Sequence, residues 1–468
     1  MFDYTATYTD QYQIAMGQVY FLKGHKNQPA VFDYFFRRMP YKGGYAVFAG
    51  LEDLLDILET LRFDDKDIAF LGKQHLHPDY IAWLKDFRFK GAIYSCPEGD
   101  VVFPNRPILR VEGSIIEAQM IETLLLNVLN YQTLIATKAS RIKQVSGAGT
   151  LVDFGLRRAP GAGGYSATRA AIVGGFDGTS NVRAGRDYDL AVSGTMAHSF
   201  IQSYDDELEA FRAFADARPE DCTLLVDTYN TLKSGVPNAI TVGLEMKKKG
   251  RRLNAIRLDS GDLAYLSKKA RQMMDAAGLT DVKIAASNEL DENVIKSLRE
   301  QGAKIDIYGV GTNLVTGKPD AVLDGVYKLG FSDGRPRIKV SETIEKVTLP
   351  GRKQVFRLYD EHGHFFGADV VALADETDID AMHHAADPLK SLPLKGIKKE
   401  PLLEKVMENG KRTGKHRDLA AIRAWSQERL ALLPDEYKRF DNPHIYKIGI
   451  STKLKDLRDK LIEEHKAR

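Results

Sequence analysis

The sequence predicts an α/β protein of two or three domains, with repeated strand–helix units at its centre. Three observations lead there. The 468-residue length gives two to three domains at about 150 residues each. From about residue 150 to 315, short apolar runs recur, each followed by a turn rich in Gly, Ser, Thr or Asp. Helical periodicity fills several of the gaps, and the later runs lie ~20–30 residues apart, the rhythm of buried parallel strands joined by crossover helices.

Residues 1–135 read as mixed α and β. Leu51–Leu61 and Ile116–Leu134 have helical periodicity. Gly91–Tyr94 and Pro107–Val111 are short β-like pieces between them, bounded by Pro and Gly. In the central region the strand candidates are Thr150–Phe154, Tyr188–Val192, Thr223–Val226, Asn254–Leu258, Lys283–Ala286 and Ile305–Tyr308, with helices at Leu263–Ala277 and Asp291–Gln301. Such units close into a barrel or form an open doubly wound sheet, and periodicity does not separate the two. Residues from about 325 to 400 are β-rich, with hairpin-like pieces in VTLPGRKQVFRLYD and FFGADVVALAD. From Asp387 to Arg468 the chain carries 20 Lys/Arg against 13 Asp/Glu, with helical stretches at Asp418–Leu433 and Lys453–His465. This segment reads as a basic, partly helical extension with a solvated face.

Composition excludes several classes. A net charge of +2, without interleaved basic and aromatic residues, gives no expectation of nucleic acid. Two cysteines, Cys96 and Cys222, exclude a disulfide scaffold and a four-cysteine zinc site and suit a reducing compartment. No stretch reaches the ~18 apolar residues of a membrane span, and MFDYTATYTDQYQ lacks the pattern of a signal peptide. A cytoplasmic enzyme without membrane attachment is expected.

The polar chemistry gathers just after the central strands, where a parallel α/β fold builds its site. Gly309 and Gly311 in GVGTN let backbone N–H groups approach an anion, although neither a P-loop nor a complete dinucleotide fingerprint is present. Arg257, Asp259 and Asp262 lie within six residues; the carboxylates could face a developing positive charge or Mg²⁺, or Asp259 or Ser260 could cap the next helix. Asp227 stands at the equivalent end of the preceding strand. Arg157 and Arg158, and the second pair Arg37 and Arg38, suit carboxylate or phosphate recognition or surface ion pairing. His198 in GTMAHSF, taken alone, reads as structural. No nucleophile elbow or Cys–His pattern supports hydrolase chemistry. Together these residues describe a site for a phosphorylated sugar with a charged leaving group.

Nine segments, in order, resemble the nicotinate phosphoribosyltransferase family. They are TDQYQ (Thr9–Gln13), GGYAVFAGL (Gly43–Leu51), DFGLRRAPG (Asp153–Gly161), FDGTSNV (Phe176–Val182), GTMAHSF (Gly194–Phe200), LVDTYNT (Leu225–Thr231), IRLDSGDL (Ile256–Leu263), ASNELDE (Ala286–Glu292) and YGVGTNL (Tyr308–Leu314). The resemblance covers roughly residues 5–400. It implies an irregular (β/α) barrel of the type II phosphoribosyltransferases over 136–324. It also implies an α/β sandwich-like domain from 1–135, completed by about 325–400, with 387–468 as the extension. The implied protein is a homodimer with shared sites. It joins nicotinate to phosphoribosyl pyrophosphate, with Mg²⁺, and couples ATP hydrolysis through a phosphohistidine, in the Preiss–Handler route of NAD salvage. The rivals are a nicotinamide phosphoribosyltransferase, a quinolinate phosphoribosyltransferase and a non-catalytic metabolite-binding protein on the same fold.

The resemblance also implies roles. Tyr12 stacks on the pyridine ring from the neighbouring subunit and Phe154 forms the facing wall. Arg257 meets the nicotinate carboxylate with help from Arg158, beside Arg157. His198 is phosphorylated, and Thr195 and Ser199 line the base pocket. Asp259 and Asp262 lie near ribose and Mg²⁺, joined by Asp227, without a direct protein metal site. Ser287, Asn288, Gly309, Gly311 and Thr312 bind the 5′-phosphate, and Arg37 meets pyrophosphate. Nicotinamide-using relatives carry Asp where this chain has Ser180; without that carboxylate, nicotinate is favoured.

Overall fold

In the computed structural model, which describes residues 4–341, 347–387 and 389–467, the chain forms two units. One is Lys138–Ala321 and the other joins Met1–Thr137 to Val322–Arg468. Residues 1–3, 342–346, 388 and 468, which fall within the expected outer segments, lie outside the described residues.

The central unit is a six-stranded parallel sheet. Its strands are β1 (Thr150–Asp153), β2 (Gly178–Thr179), β3 (Thr223–Leu225), β4 (Ala255–Leu258), β5 (Lys283–Ala286) and β6 (Ile307–Val310), in the order β2-β1-β6-β5-β4-β3. Helices separate most of them, including Gly163–Val173, Val236–Lys248, Leu263–Ala276 and Glu292–Glu300. The strands are short and largely buried, as parallel strands covered by helices must be. Among the described residues the edge strands β2 and β3 are not paired with each other, so the barrel is irregular. One further parallel bridge, Thr179 to Val192, extends the β2 edge.

Local sequence explains the order. Asp262 caps the helix after β4, accepting from the Tyr265 N–H at 2.9 Å, and Asp291 caps the helix after β5. After β3 the chain makes a π turn, Thr231–Gly235. A side chain at Gly235 would put a Cβ 1.8 Å from the Val226 carbonyl oxygen, so only glycine lets the turn close on the strand end.

One strand expectation fails. Tyr188–Val192 is not a strand: Val182–Tyr188 is a helix, and only Val192 forms a bridge. The Asn181 side chain caps that helix at the Ala184 N–H, and Arg183 and Asp187 pair along it. The edge strand is the two-residue Gly178–Thr179 instead.

The outer unit holds two larger sheets. The first has seven antiparallel strands in the order Arg335–Pro336, Gly325–Ser332, Pro29–Phe36, Leu109–Ser114, Ala92–Ser95, Glu404–Glu408 and Lys411–Arg412. The second has six, in the order Ser391–Pro393, Ala381–His384, Lys447–Ser451, Phe365–Leu373, Lys353–Tyr359 and Lys398–Pro401. Among the described residues its only parallel pair is Phe365–Leu373 with Lys447–Ser451. Residues expected as an extension thus contribute strands to both sheets. Leu51–Thr60 and Ile115–Met120 bury Leu54, Leu55, Leu58 and Ile116 in one core with Ile93, Leu109 and Val111.

Candidate active site

The ends of β3, β4 and β5 bring an arginine, two carboxylates, a histidine and a serine together. Arg257 is the third residue of β4, and its side chain is mostly buried. Its guanidinium donates to Asp259 Oδ1 at 2.8 Å, to Ser287 Oγ at 2.9 Å and to Thr195 Oγ1 at 3.1 Å. It also lies over the Phe154 ring, 5.6 Å from the centroid. These contacts fix the plane of the fork.

Asp259 is the centre of the cluster. It accepts a hydrogen bond from the Ser287 hydroxyl, and His198 Nε2 lies 3.8 Å from its Oδ2. Burial pushes its carboxyl up, but the Ser287 hydroxyl, the Arg257 guanidinium and His198 outweigh burial and hold it below the ordinary carboxylate range. Asp227 stands behind it. Its Oδ2 accepts from the Asp259 N–H at 2.8 Å and the Ser260 hydroxyl at 2.7 Å. Its Oδ1 is buried without a hydrogen-bond partner.

His198 begins the short helix His198–Gln202. Its Nδ1 lies 3.0 Å from Thr228 Oγ1. The ring is therefore held on both sides, by a hydroxyl and a carboxylate, yet its side chain remains 41% exposed. An imidazole oriented and reachable in this way suits a group that accepts a phosphoryl. Ser199 beside it is exposed.

Phe154 is placed from below. Its N–H donates to the Val310 carbonyl at 2.9 Å. A Cβ on Gly309 would lie 2.4 Å from the Phe154 ring, and one on Gly311 would lie 3.1 Å from its carbonyl oxygen. Of the glycines expected to admit an anion, Gly309 is thus also required by the packing of Phe154, and Gly311 is tight against it. Thr312 follows at the start of the short helix Thr312–Val315. Ser287 is buried and Asn288 exposed.

Other expected residues lie differently. Asp262 is engaged in capping its helix. Arg157 and Arg158 are exposed on the short turn Leu156–Arg158 just past β1. The Ser180 hydroxyl turns back to the Asp153 carbonyl oxygen at 3.1 Å. Tyr12 and Arg37 belong to the outer unit. Tyr12 is exposed on the helix Gln11–Leu22, and Arg37 follows the strand Pro29–Phe36 with its guanidinium 5.9 Å from the Phe35 ring centroid.

Two residues were missed. Thr228 touches His198, and its signal is its place directly after Asp227 in LVDTYN. Asp153, at the end of β1, is fully buried. It accepts from the Gly155 N–H at 2.8 Å, the Thr168 hydroxyl at 2.6 Å and the Thr179 hydroxyl at 3.1 Å. Burial, only partly offset by these neutral donors, pushes its carboxyl up. It joins the Phe154 turn, the next helix and the β2 edge. DFG in the sequence marks it, but its partners lie 15 and 26 residues away.

Comparison with known proteins follows the same line. Family models match residues 7–130 (the nicotinate phosphoribosyltransferase N-terminal domain), 150–330 (the nicotinate phosphoribosyltransferase family) and 352–458 (the C-terminal domain). The nicotinate phosphoribosyltransferase of Bacillus subtilis (strain 168) is 45% identical, covering 100% of this chain and 97% of the relative. Nicotinate phosphoribosyltransferase pncB2 of Mycobacterium tuberculosis (strain ATCC 25618 / H37Rv) is 39% identical, covering 96% and 92%. The crystal structure of human nicotinic acid phosphoribosyltransferase matches with a TM-score of 0.86 at 31% identity, covering 97% of this chain and 99% of that one.

Proposed function

Since the chain belongs to the nicotinate phosphoribosyltransferase family, we propose that its strand-end cluster joins nicotinate to phosphoribosyl pyrophosphate. The products are nicotinate mononucleotide and pyrophosphate, a step of NAD salvage. The observation that carries the reading is Arg257, held by Asp259, Ser287 and Thr195 over the Phe154 ring.

The chemistry asks for positioning and charge. The pyridine nitrogen attacks ribose C1 with its own lone pair while the bond from C1 to the pyrophosphate oxygen breaks. No proton is removed, so the reaction needs no general base at the nitrogen. Arg257 takes the nicotinate carboxylate as a charged donor, beside Phe154 as one wall of the base pocket, with Thr195 and Ser199 along it. Positive charge develops on the ribose, and Asp259, held ionised, stabilises it. Asp227 joins it from behind, holding the Asp259 N–H and the Ser260 hydroxyl beside the ribose. Ser287, Asn288, Gly309, Gly311 and Thr312 receive the 5′-phosphate. Arg157 and Arg158, exposed past β1, face the anionic parts of the substrates. Ser180, where nicotinamide users carry Asp, leaves the base pocket without a repelling carboxylate.

Magnesium would be brought by the diphosphate of the substrate. Among the described residues no group of three or more His, Cys, Asp or Glu could hold a metal ion. Asp227 and Asp259, with Asp262 on the same loop, are the acids that would face it, and the ion would neutralise charge on the leaving pyrophosphate.

ATP belongs to the same proposal. His198, oriented by Thr228 and Asp259, takes the phosphoryl group of ATP and gives it to water, so that hydrolysis is spent on substrate binding. We assign the catalytic work to residues 136–324. A homodimer completes the site with Tyr12 and Arg37 of a second copy. Tyr12, Met16, Val19 and Leu22, all exposed on one face of Gln11–Leu22, supply an apolar surface for it to cover. The metabolic role of the family supports a cytoplasmic location; among the described residues no helix is long and apolar enough to cross a membrane.

The test is product formation with Mg²⁺ and phosphoribosyl pyrophosphate. Nicotinate, nicotinamide and quinolinate are supplied separately, each with and without ATP. Nicotinate alone should react, faster with ATP and with ADP released. Turnover of nicotinamide would overturn the use of Ser180, and no product from any base would leave a binding protein.

A further inference from the structure

The loop after β5 holds an unusual backbone. Asn288 has φ of 80° and Glu289 has φ of 50°, two successive residues in the left-handed region. Asparagine enters it at modest cost; a long side chain such as Glu does so rarely. Consecutive residues stay there only where the surroundings fix them.

Both ends of the loop are anchored. The Ser287 N–H donates to the Leu258 carbonyl at 3.0 Å. On the far side, Asp291 caps the Asn293 and Val294 N–H groups, and Glu292 pairs with Lys138 and Arg141. Between these anchors comes Asn313, from the loop after β6. Its side chain is buried, at 4% exposure, and its Nδ2 donates to the carbonyls of Glu289 at 3.0 Å and Leu290 at 3.2 Å. One amide from the neighbouring strand end thus ties down the carbonyls at and just after the left-handed step.

We propose that Asn313 is a positioning residue for the sugar-phosphate half of the site. Its amide locks the 288–290 backbone, and that backbone presents Ser287 and Asn288 to the 5′-phosphate. The inference rests on the phosphate-loop reading above and adds the residue that shapes the loop. Asn313 holds the carbonyls of Glu289 and Leu290, past the Ser287 hydroxyl that meets Arg257, so its effect falls more on phosphoribosyl pyrophosphate than on nicotinate.

Three measurements on the full-length protein test it. In Asn313→Ala, hydrogen exchange at amides 288–291 should accelerate roughly tenfold or more, while the rest of the central sheet keeps its protection. The KM for phosphoribosyl pyrophosphate should rise roughly tenfold and that for nicotinate stay within about twofold. Glu289→Gly makes left-handed φ free of Cβ strain; added to Asn313→Ala it should recover about half of the lost affinity or more. Unchanged exchange would overturn the clamp itself. Faster exchange with a rise in the KM for nicotinate instead would overturn the phosphate-loop reading beneath it. A uniform loss of both affinities with a lower melting temperature, unrelieved by Glu289→Gly, would leave Asn313 as a structural residue only.

Discussion

Each unit builds an arginine–aspartate cluster against an aromatic ring, and the two are finished differently. In the outer unit Arg357 pairs with Asp100 at 2.8 Å and with Asp369 at 3.2 Å, and Arg106 pairs with Asp369 at 2.8 Å. Arg429 closes on Asp100 and Glu400, each at 2.8 Å. The Arg357 guanidinium lies 4.4 Å from the Phe365 ring centroid, and both its own side chain and that of Asp369 are 0% exposed. In the central unit Arg257 is 16% exposed and Asp259 29%. The first cluster spends its charges on one another. The second leaves Arg257, Asp259 and His198 reachable and one oxygen of Asp227 unpartnered. The same residue types hold a domain together where they are sealed, and stay reachable where one side is open.

Removing one partner should separate the two most strongly. Asp369→Ala strands buried Arg106, takes one of two carboxylates from Arg357, and should cost about 3–5 kcal/mol of stability, read by denaturant unfolding. A loss under about 1 kcal/mol would make the sealed cluster no different from a surface pair. In the open cluster, Arg257→Ala removes a charged hydrogen-bond donor worth about 1.5–3 kcal/mol to its ligand, so the KM for nicotinate should rise roughly 10–100-fold. Its unfolding curve should barely move; a loss of stability without a change in KM would assign Arg257 to packing. His198→Ala should keep some transfer and lose the ATP stimulation. An ATP response equal to that of the parent would remove the histidine from the coupling.

Acid gives the smallest contrast. Burial raises the Asp100 carboxyl, but Arg357 and Arg429 outweigh it and hold it low, and Asp259 is held low too. A carboxyl lowered on folding contributes stability that is present above its unfolded pKa, about 4, and is lost as pH falls through the folded value. Stability should therefore fall below pH ~4. Asp259→Asn should leave most of that fall in place, because Asp259 is the more exposed. A flat acid limb in that variant would mean the open site, not the sealed cluster, carries the pH dependence.

The sequence disclosed the central strands because buried parallel strands are continuous apolar runs, and five of six expected runs hold a strand. Tyr188–Val192 misled because an apolar run beside a turn also fits a helix end. The candidate site residues were legible where they sit at or just after a strand end, as Arg257, Asp259 and Asp227 do. Asp153 and Thr228 were not, because their meaning lies in partners distant in sequence: Thr179 is 26 residues from Asp153, and His198 is 30 from Thr228. The pairing of Arg357 with Asp100, 257 positions apart, leaves no local mark at all.

The strand Pro29–Phe36 has one neighbour, Leu109–Ser114, that is made early, and another, Gly325–Ser332, that leaves the ribosome only after the whole central unit. At 5–20 residues per second that interval is about 15–60 s. Through it a nascent chain carries an apolar strand with a bare edge, open to pairing with the wrong chain. Lys138–Ala321 is continuous in sequence and can finish in the meantime. Slowing or stalling synthesis before residue 325 should therefore produce a soluble centre and a sticky front, and a holdase that shields the front would matter more to the yield of this enzyme than to that of one whose domains follow one another along the chain.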